Sequence, residues 1–352
     1  MPNIKGVFKK KNVIVTGGAG FIGSHICEIL AKDENARVIC IDNLISGTEV
    51  NIDNLLQSED FKFIRHDITE PIDLTKFPEL SVFEIEFEGI QEIYNCATPT
   101  SYKEAQKFSN ETILTNSIGV KNVLDLAKKY NSKMVHLSSS AIYGDPLPED
   151  KHFSEEYWGF VDPVSSRAAY DESKRFAETL CKTYYDSYKI DVTIARVFAT
   201  YGPKMIMDEG RQVPDFISSA IDNKDIVIYG DKDTATSFCY ITDMVDGLMK
   251  LVESKNLGPF NIGADQEYKL SDIAQKVIDY TSSKSKIKFE KPLEGMHEQG
   301  LPNIRLIKNE LGWLPLVSIE EGLKKTVDYM RSMKSHYEQK GLWEESTLDR
   351  KE

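Results

Sequence analysis

The stretch NVIVTGGAGFIG, at residues 12–23, constrains the fold of this chain more than any other. Residues 13–16 are apolar or β-branched and predict a short buried strand. Gly17, Gly20 and Gly23 follow at three-residue spacing and open a predicted helix. One such glycine permits the tight turn, one lets the backbone approach a pyrophosphate, and one lets the helix pack on the strand. Because a helix N-terminus favours negative charge, the stretch predicts a dinucleotide site.

An acidic residue, Asp42, ends the next predicted strand, residues 37–41. A carboxylate at this place accepts hydrogen bonds from both hydroxyls of the adenosine ribose and repels a 2′-phosphate, which favours NAD over NADP. Asp67 follows the third predicted strand, where a contact with the adenine and an ordinary turn residue explain the sequence equally well. The other residues predicted to contact NAD through loops and strand ends are Phe21, Ile22, Asn43, Gly47, Ile68, Ala97, Thr98 and Asn116.

Strands and helices alternate along the first part of the chain. The predicted strands cover residues 13–16, 37–41, 61–65, 92–97, 133–137 and 191–198, and the two longest predicted helices there cover residues 112–129 and 170–188. This alternation is typical of an α/β protein with a Rossmann-type, doubly wound parallel sheet that helices cover on both faces. Residues 71–89 are acidic, rich in Phe and Pro and without a period, and therefore predict a surface insertion.

The length of 352 residues predicts two domains. We expect an NAD-binding domain at residues 1–198, with residues 239–258 returning to it. Residues 199–238 and 259–335 contain shorter elements and predict a smaller C-terminal substrate lobe. Residues 336–352 predict a charged tail.

Charge and composition exclude several classes of function. The net charge of −13 argues against nucleic acid or an anionic membrane surface as the main partner. The chain has no run of about 18 apolar residues, so we expect no membrane span, and its basic N-terminus lacks the apolar core of a signal peptide. Five cysteines without paired spacing predict reduced thiols in a cytoplasmic protein. Six scattered histidines predict no metal site.

Tyr170 and Lys174 stand four residues apart, on one face of a predicted helix. A nearby ammonium, helped by a cationic nicotinamide, stabilises a phenolate and lowers the tyrosine pKa. Tyr170 could then act as a base on a sugar hydroxyl while the adjacent carbon gives a hydride to NAD. On its own, a tyrosine and a lysine at this spacing usually just lie on an ordinary helix surface. The dinucleotide motif and a hydroxyl cluster at residues 138–140 favour a catalytic role for this pair. Ser139 of that cluster, unless it is a plain turn residue, would bond the same reacting oxygen.

From residue 12 to about residue 333 the chain resembles the extended short-chain dehydrogenases/reductases that act on nucleotide sugars, with UDP-glucuronate decarboxylases as the most similar subgroup. The matching segments are FIRHDITEP at 63–71, YGDP at 143–146, YWG at 157–159, RAAYDESKR at 167–175, YGP at 201–203, GR at 210–211 and LGW at 311–313. The resemblance implies Ser139, Tyr170 and Lys174 as the catalytic triad and an NAD that is recycled within each turnover. It also implies a homodimer in which helices 112–129 and 170–188 pair as a four-helix interface.

The chain departs from this family at the substrate. Decarboxylases and 4,6-dehydratases carry a glutamate two residues after the catalytic serine or threonine, where this chain has Ala141. The family's asparagine and two arginines that grip the nucleotide diphosphate are replaced by Ala199, Thr236 and, less securely aligned, Gly300. Charge-assisted hydrogen bonds of this kind contribute about 1.5–3 kcal/mol each, so an ordinary diphosphate would lose most of its anchoring.

Two explanations of these departures remain open. Basic neighbours could replace the missing groups, and Lys204, Arg211, His297 and Arg305 all fall in the predicted lobe. Alternatively, the substrate carries a different handle, such as a single phosphate or a nucleoside monophosphate. The other residues predicted to contact the substrate are Pro99, Ser140, Ala141, Arg167, Ala199 and Thr236.

The leading hypothesis is an enzyme that oxidises a ring hydroxyl of a small activated sugar with NAD and reduces the ketone again, with net epimerisation. Decarboxylation of a glucuronate-type substrate is the alternative, because a 4-keto group makes the neighbouring carboxylate a β-keto acid. A non-catalytic NAD-binding scaffold is a third hypothesis. The intact Tyr170 and Lys174 pair argues against it, because a scaffold has no use for both.

Overall fold

The fold is described from a computed structural model, which describes residues 10–146, 151–292 and 300–339. The strands are, in chain order, β1 (Lys11–Thr16), β2 (Ala36–Asp42), β3 (Phe61–Arg65), β4 (Glu92–Asn95), β5 (Lys133–Ser139), β6 (His152–Phe153), β7 (Val192–Val197), β8 (Thr200–Tyr201), β9 (Ile226–Tyr229), β10 (Ala235–Ser237), β11 (Cys239–Tyr240), β12 (Phe260–Ile262), β13 (Glu267–Lys269), β14 (Ile287–Glu290) and β15 (Leu301–Pro302). The α-helices are α1 (Phe21–Leu30), α2 (Ile85–Glu88), α3 (Tyr102–Lys107), α4 (Ser109–Leu114), α5 (Val120–Tyr130), α6 (Ala168–Tyr188), α7 (Gln212–Ile221), α8 (Ile241–Leu251), α9 (Leu270–Thr281), α10 (Arg305–Leu311) and α11 (Ile319–Gln339).

The central sheet contains seven strands in the order β12-β7-β5-β4-β1-β2-β3. Every adjacent pair in it is parallel. The order runs outward in one direction from β1 and in the other from β4, so it reverses between these two strands. This confirms the predicted doubly wound α/β fold. In such sheets ligands bind beyond the carboxyl ends of the strands at the reversal point.

Helices cover both faces of the sheet because the strands are apolar on both sides. Val13 and Val15 of β1 belong to one core cluster, together with Ile26 of α1. Ile14, which points to the opposite face, belongs to a second cluster with Val123 of α5. All of these side chains are fully buried, which explains why β1 reads as a continuous apolar run rather than as an alternating one.

The edge strand β12 lies within residues 259–335, which the sequence predicts to belong to the substrate lobe. For β12 that prediction is wrong. Phe260 and Ile262 pair in parallel with Ala195 and Val197 of β7, at the edge of the central sheet. The segment that returns from the lobe therefore includes β12 as well as α8, which packs against α1. A strand of three residues carries no pattern that tells which sheet it joins.

The predicted surface insertion at residues 71–89 is instead part of the core. It forms 3-10 turns followed by α2, and Leu74, Leu80 and Phe83 are buried against the second core cluster. The Asn12 amide donates to the carbonyl oxygens of Phe83 and Gly89 at 3.0 and 2.9 Å, which fastens the segment to β1. Successive 3-10 turns bury apolar residues without helical or strand periodicity, so the sequence pattern missed this packing.

The single helix predicted at residues 112–129 is interrupted. A π-helical turn, Thr115–Gly119, separates α4 from α5. A Cβ added at Gly119 would lie 2.9 Å from the Ile68 side chain, so the turn passes close to the segment that follows β3. A π-helical turn adds one residue to a helix without breaking its apolar pattern, so the sequence reads as one continuous helix. Such turns often occur at functional sites.

The substrate lobe is built from small sheets and helices. β9 pairs in parallel with β14 and β10 antiparallel with β13, while α7 packs on α9 and α11 packs on both. The buried Trp313 donates its indole N–H to the Asp243 carbonyl of α8 at 3.0 Å, which ties this region to the first domain. α11 extends beyond the predicted start of the tail at residue 336, and residues 340–352 lie outside the described residues. In the described part of the chain, no helix is both long and apolar enough to cross a bilayer.

Candidate active site

The glycine motif forms a backbone cradle at the reversal point of the sheet. Gly17 follows β1 with a φ of +68°, and a Cβ there would lie 2.7 Å from the Ala97 backbone beyond β4. A Cβ at Gly23, inside α1, would collide with the Gly17 carbonyl oxygen. The backbone of the loop is therefore pressed against both β4 and α1, with Gly20 as the residue before the helix. This leaves the N-terminal N–H groups of α1 open to a pyrophosphate.

Asp42 lies at the carboxyl end of β2, next to this cradle. Its Oδ2 accepts the Ala19 N–H at 3.0 Å and its Oδ1 accepts the Leu44 N–H at 2.8 Å. Burial raises the pKa of the carboxyl, and the two backbone hydrogen bonds oppose that shift. Each oxygen keeps acceptor capacity for a ribose hydroxyl, so the donor set fits NAD.

Asp67 acts as a turn residue, and its predicted contact with the adenine stays a prediction. It lines the main cavity, and its Oδ2 accepts the Asn43 amide at 2.8 Å. Its Oδ1 accepts the N–H and the hydroxyl of Thr69 at 2.8 and 2.7 Å. Burial would raise the pKa of Asp67, but these hydrogen bonds outweigh it and lower the pKa. The residue therefore shapes the turn and also faces the cofactor side of the cavity.

The predicted catalytic residues come together where β5 ends and α6 begins. The Tyr170 hydroxyl is hydrogen-bonded to Ser139. The Lys174 ammonium donates to the Leu137 carbonyl at 2.7 Å and lies 5.9 Å from the centre of the Tyr170 ring. Ser139 also accepts the Ala141 N–H at 3.2 Å, which orients its hydroxyl. Two hydroxyls and one ammonium thus face the cavity from two elements of the fold.

The electrostatics of this group differ from the sequence-based prediction. Burial raises the pKa of Tyr170 even though the Ser139 hydrogen bond opposes it. Burial also lowers the pKa of Lys174 to about 8. In the protein without its cofactor, loss of solvation outweighs the positive charges of Arg167 and Arg211, and the lowering of the Tyr170 pKa beside an oxidised nicotinamide stays a prediction. A base at Tyr170 needs the additional positive charge of an oxidised nicotinamide.

One cavity of about 370 Å³ connects the glycine cradle to the catalytic residues and the lobe. It is lined by all the residues predicted to contact NAD except Asn116. Of those predicted to contact the substrate, it is lined by Pro99, Ser140, Ala141, Arg167, Ala199, Arg211 and Thr236, and Gly300 lines it as well. Both sets of predictions thus converge on a single space.

Three predicted residues do not line the cavity, and a fourth lies outside the described residues. The Lys204 ammonium donates to Glu28 and to the Asn51 carbonyl, both at 2.7 Å, so it ties the lobe to α1 and its predicted substrate contact is wrong. Asn116, in the π-helical turn, donates to Thr98 at 3.0 Å and therefore supports the cavity wall from behind. His297 lies outside the described residues. Arg305 is exposed at the start of α10 and does not line the cavity.

The sequence analysis missed two groups of residues. Three acidic residues, Glu104, Glu209 and Asp215, line the cavity, and no motif marked them. Behind the predicted catalytic serine, Ser139, Glu178 accepts hydrogen bonds from the Ser138 hydroxyl at 2.6 Å and from Arg196 at 3.0 and 2.8 Å. This buried ion pair joins side chains from α6 and β7, so only the packing of α6 against β5 and β7 could have revealed it.

Comparisons with known proteins agree with this geometry. The NAD dependent epimerase/dehydratase family matches residues 13–263. UDP-glucuronic acid decarboxylase 1 of Xenopus tropicalis is 36% identical over 93% of this chain and 74% of its own length. UDP-glucuronic acid decarboxylase 6 of Arabidopsis thaliana is 38% identical over 88% and 86%. Among solved structures, the UDP-glucuronic acid 4-epimerase from Bacillus cereus in complex with UDP-glucuronic acid and NAD has a TM-score of 0.79 at 28% identity, covering 92% of this chain and 99% of that one.

Proposed function

The chain belongs to the NAD dependent epimerase/dehydratase family, and we propose that it inverts a hydroxyl-bearing carbon of a nucleotide-linked sugar. The inversion proceeds through transient oxidation of that hydroxyl to a ketone and its reduction from the other face. The observation that carries this proposal is Ala141, which lines the cavity two residues after Ser139 and cannot donate a proton. The intact group of Ser139, Tyr170 and Lys174 speaks against a non-catalytic scaffold.

The residues present fit NAD as the cofactor. The cradle and the N-terminus of α1 would hold its pyrophosphate, and Asp42 its adenosine ribose. Lys174 and Tyr170 face the part of the cavity where the nicotinamide would lie. Bound there, NAD supplies the acceptor that takes a hydride from the sugar and the donor that returns it.

The protein's own groups handle the proton. Tyr170, once ionised, accepts the proton of the sugar hydroxyl, and the same phenol later returns it to the ketone oxygen. Ser139 hydrogen-bonds Tyr170 and is oriented to bond the reacting oxygen as well. The buried Lys174 ammonium stabilises the phenolate. One proton and one hydride leave the sugar and both return, so epimerisation needs no further acid.

Decarboxylation, the alternative that the names of the relatives favour, places a further demand on the site. After loss of CO2 an acid must protonate the adjacent carbon. The neighbouring Tyr143 hydroxyl donates to Asn261 at 2.7 Å and accepts from Arg196 at 2.8 Å inside the core. The described acids on the sugar side of the cavity come from other elements, as Glu104 and Asp215 do. A β-keto acid can still lose CO2 unaided, so a slow decarboxylation remains the second candidate.

Ala141→Glu tests the choice between the two reactions. We expect the wild-type protein to convert an activated sugar to an isomer of unchanged mass, because residue 141, beside Ser139, is an alanine and offers no acid. With UDP-glucuronate the variant should raise CO2 loss by about 10²-fold, the usual contribution of a general acid. NMR of the products and mass spectrometry measure both reactions. Ala141→Gln, which adds the same bulk without an acid, is the control. CO2 loss by the wild type as fast as isomer formation would contradict epimerisation.

We also propose a homodimer built on α4, the π-helical turn and α6. Ile113, Leu114, Ile118 and Phe176 of these segments are between 44 and 50% exposed, although they are large and apolar. α4 packs on α6 within one chain, so their exposed sides form one apolar face. Such a face suits a second copy of the same face related by a two-fold axis.

Charging this face should separate the subunits. The double variant Ile118→Asp and Phe176→Asp is expected to sediment as a monomer at a concentration where the wild-type protein sediments as a dimer, because it buries charges in an apolar contact. Phe87→Asp is the control, since Phe87 is 85% exposed on α2 and lies outside this face. A wild-type protein that stays monomeric throughout would contradict the dimer.

A further inference from the structure

Three polar side chains form a row across the apolar central sheet, close to the carboxyl ends of its strands. Thr16 ends β1, Asn95 ends β4 and His136 lies in β5. The strand register places Thr16 opposite Asn95, and Asn95 opposite His136. Each is at most 2% exposed. Because side chains alternate along a strand, all three lie on the face of the second core cluster, which includes Ile14 and Ile93.

Hydrogen bonds connect the members of this polar row. The Thr16 hydroxyl donates to Asn95 Oδ1 at 2.6 Å, and Asn95 Nδ2 lies 3.1 Å from His136 Nδ1. An amide nitrogen can only donate, so His136 Nδ1 is the acceptor and the proton of the neutral imidazole is on Nε2. Asn95 thus binds both neighbours at once, one through its oxygen and the other through its nitrogen.

The stability of the protein does not explain the polar row. His136 Nε2 is buried and has no hydrogen-bond partner among the described residues. Burial, together with the charge of Lys174, lowers the pKa of His136 well below its ordinary value, so the imidazole stays neutral. An unpaired buried N–H group costs free energy that an apolar side chain would avoid. The row therefore serves another purpose.

The polar row can define the register of the three strands. Apart from it, β1 and β5 carry mainly apolar side chains on both faces. A slip of two residues would leave every side chain on its original face, so apolar packing specifies the register only weakly. Such a slip would move a strand end by about 6–7 Å. The two side-chain hydrogen bonds form in one register alone, and they therefore oppose a slip.

Each end of the polar row lies next to one part of the candidate active site. Gly17 of the cradle directly follows Thr16, and a Cβ on Gly17 would lie 2.7 Å from the Ala97 backbone, just beyond Asn95. Ser139 comes three residues after His136 in the same strand. The bond between β1 and β4 thus supports the cofactor end of the site, and the bond between β4 and β5 supports the serine.

We propose that Asn95 is a positioning residue, which holds the NAD cradle through Thr16 and Ser139 through His136. The proposal rests on the proposed function, since Ser139 acts in that reaction. The two hydrogen bonds have separate effects. Loss of the Thr16 bond loosens the cradle, whereas loss of the His136 bond loosens Ser139.

The cofactor half of the proposal is tested by calorimetry with NAD on the full-length protein. Thr16→Val keeps the size of the side chain but removes its hydroxyl. It should weaken NAD binding by about tenfold, as expected if the displaced cradle loses one hydrogen bond to the pyrophosphate. The value of kcat at saturating NAD should not change. Thr16→Ser keeps the hydroxyl and is the matched control, with the NAD affinity of the wild type.

The serine half is tested with His136→Phe. This variant should lower kcat by about 10²-fold, the usual cost of moving a reacting group by about 1 Å, and leave NAD affinity unchanged. Because Ser139 accepts the Ala141 N–H, exchange of that amide should also become faster, which NMR measures without a sugar. His136→Asn keeps an acceptor near the position of Nδ1 and should recover most of the kcat. Asn95→Leu should show both defects.

A triple variant separates positioning from general damage to the fold. Thr16→Val with Asn95→Leu and His136→Phe leaves no unpaired polar group, so its unfolding free energy should exceed that of Asn95→Leu while both defects remain. The triple variant also carries the test if Asn95→Leu does not fold. Thr193→Val is the control, because it removes a buried hydroxyl of β7 that bonds the Asn256 carbonyl at 3.2 Å. It should lower stability but change neither NAD affinity nor kcat.

Three results would overturn the proposal. One is a triple variant whose NAD affinity and kcat recover together with its stability. Another is a Thr16→Val or His136→Phe protein that shows both defects equally, and the third is one that shows neither. If the wild-type protein isomerises no sugar, the proposed reaction alone fails. NAD affinity and Ala141 exchange then still decide whether Asn95 positions the site.

Discussion

Tyr170→Phe is expected to lower kcat by about 10²–10⁴-fold while NAD still binds. The variant keeps the buried ring against Lys174 but loses the hydroxyl that bonds Ser139 and accepts the substrate proton. The loss of that one hydrogen bond should lower the free energy of unfolding by about 0.5–1.5 kcal/mol, so the protein remains folded. The chemical effect therefore exceeds the structural one by a wide margin.

Steady-state kinetics with calorimetric NAD binding measure this result. Because burial raises the Tyr170 pKa, the rate of the wild-type protein should rise with pH as the phenol ionises. The variant should lose that rise. Tyr188→Phe, on the same helix but 50% exposed, is the control and should retain full activity. A Tyr170→Phe protein with near wild-type kcat and an unchanged pH profile would remove Tyr170 from the mechanism.

The cofactor end of the site was predictable because its chemistry requires fixed local geometry. The spacing of Gly17, Gly20 and Gly23 follows from close backbone contacts that no side chain could replace. Asp42 directly ends its strand, so its place at the carboxyl edge follows from the strand alone. Both features depend on short stretches of chain whose conformation is set within a few residues.

The sugar end was not predictable because side-chain direction there depends on distant contacts. Lys204 lies within the predicted lobe in sequence, but its backbone has a φ of +69° and its ammonium reaches Glu28 of α1. Asp215 carries no motif, and its pKa departs from the ordinary value chiefly because folding buries it. Position in the chain indicated which residues belong to the lobe, but not which of them face the ligand.

Glu178→Ala is expected to lower the free energy of unfolding by about 3–5 kcal/mol, the largest stability change that we predict. Glu178 and Arg196 form an ion pair at 2.8 Å, with side chains only 14 and 10% exposed. Removal of the carboxylate leaves the Arg196 guanidinium buried beside Tyr143 without a compensating charge. The Ser138 hydroxyl also loses its acceptor, directly next to the proposed catalytic residue Ser139.

Denaturant unfolding measures this loss, and two further variants separate its causes. Replacing both partners, as Glu178→Leu with Arg196→Met, should recover most of the stability, because a buried pair costs desolvation that an apolar pair does not. Lys121→Ala breaks an exposed ion pair with Asp125 and should change stability by only about 0.3–0.5 kcal/mol. If Glu178→Ala were as mild as Lys121→Ala, the guanidinium would have to reach water, and the pair could not be what holds β5 and β7 in position behind Ser139.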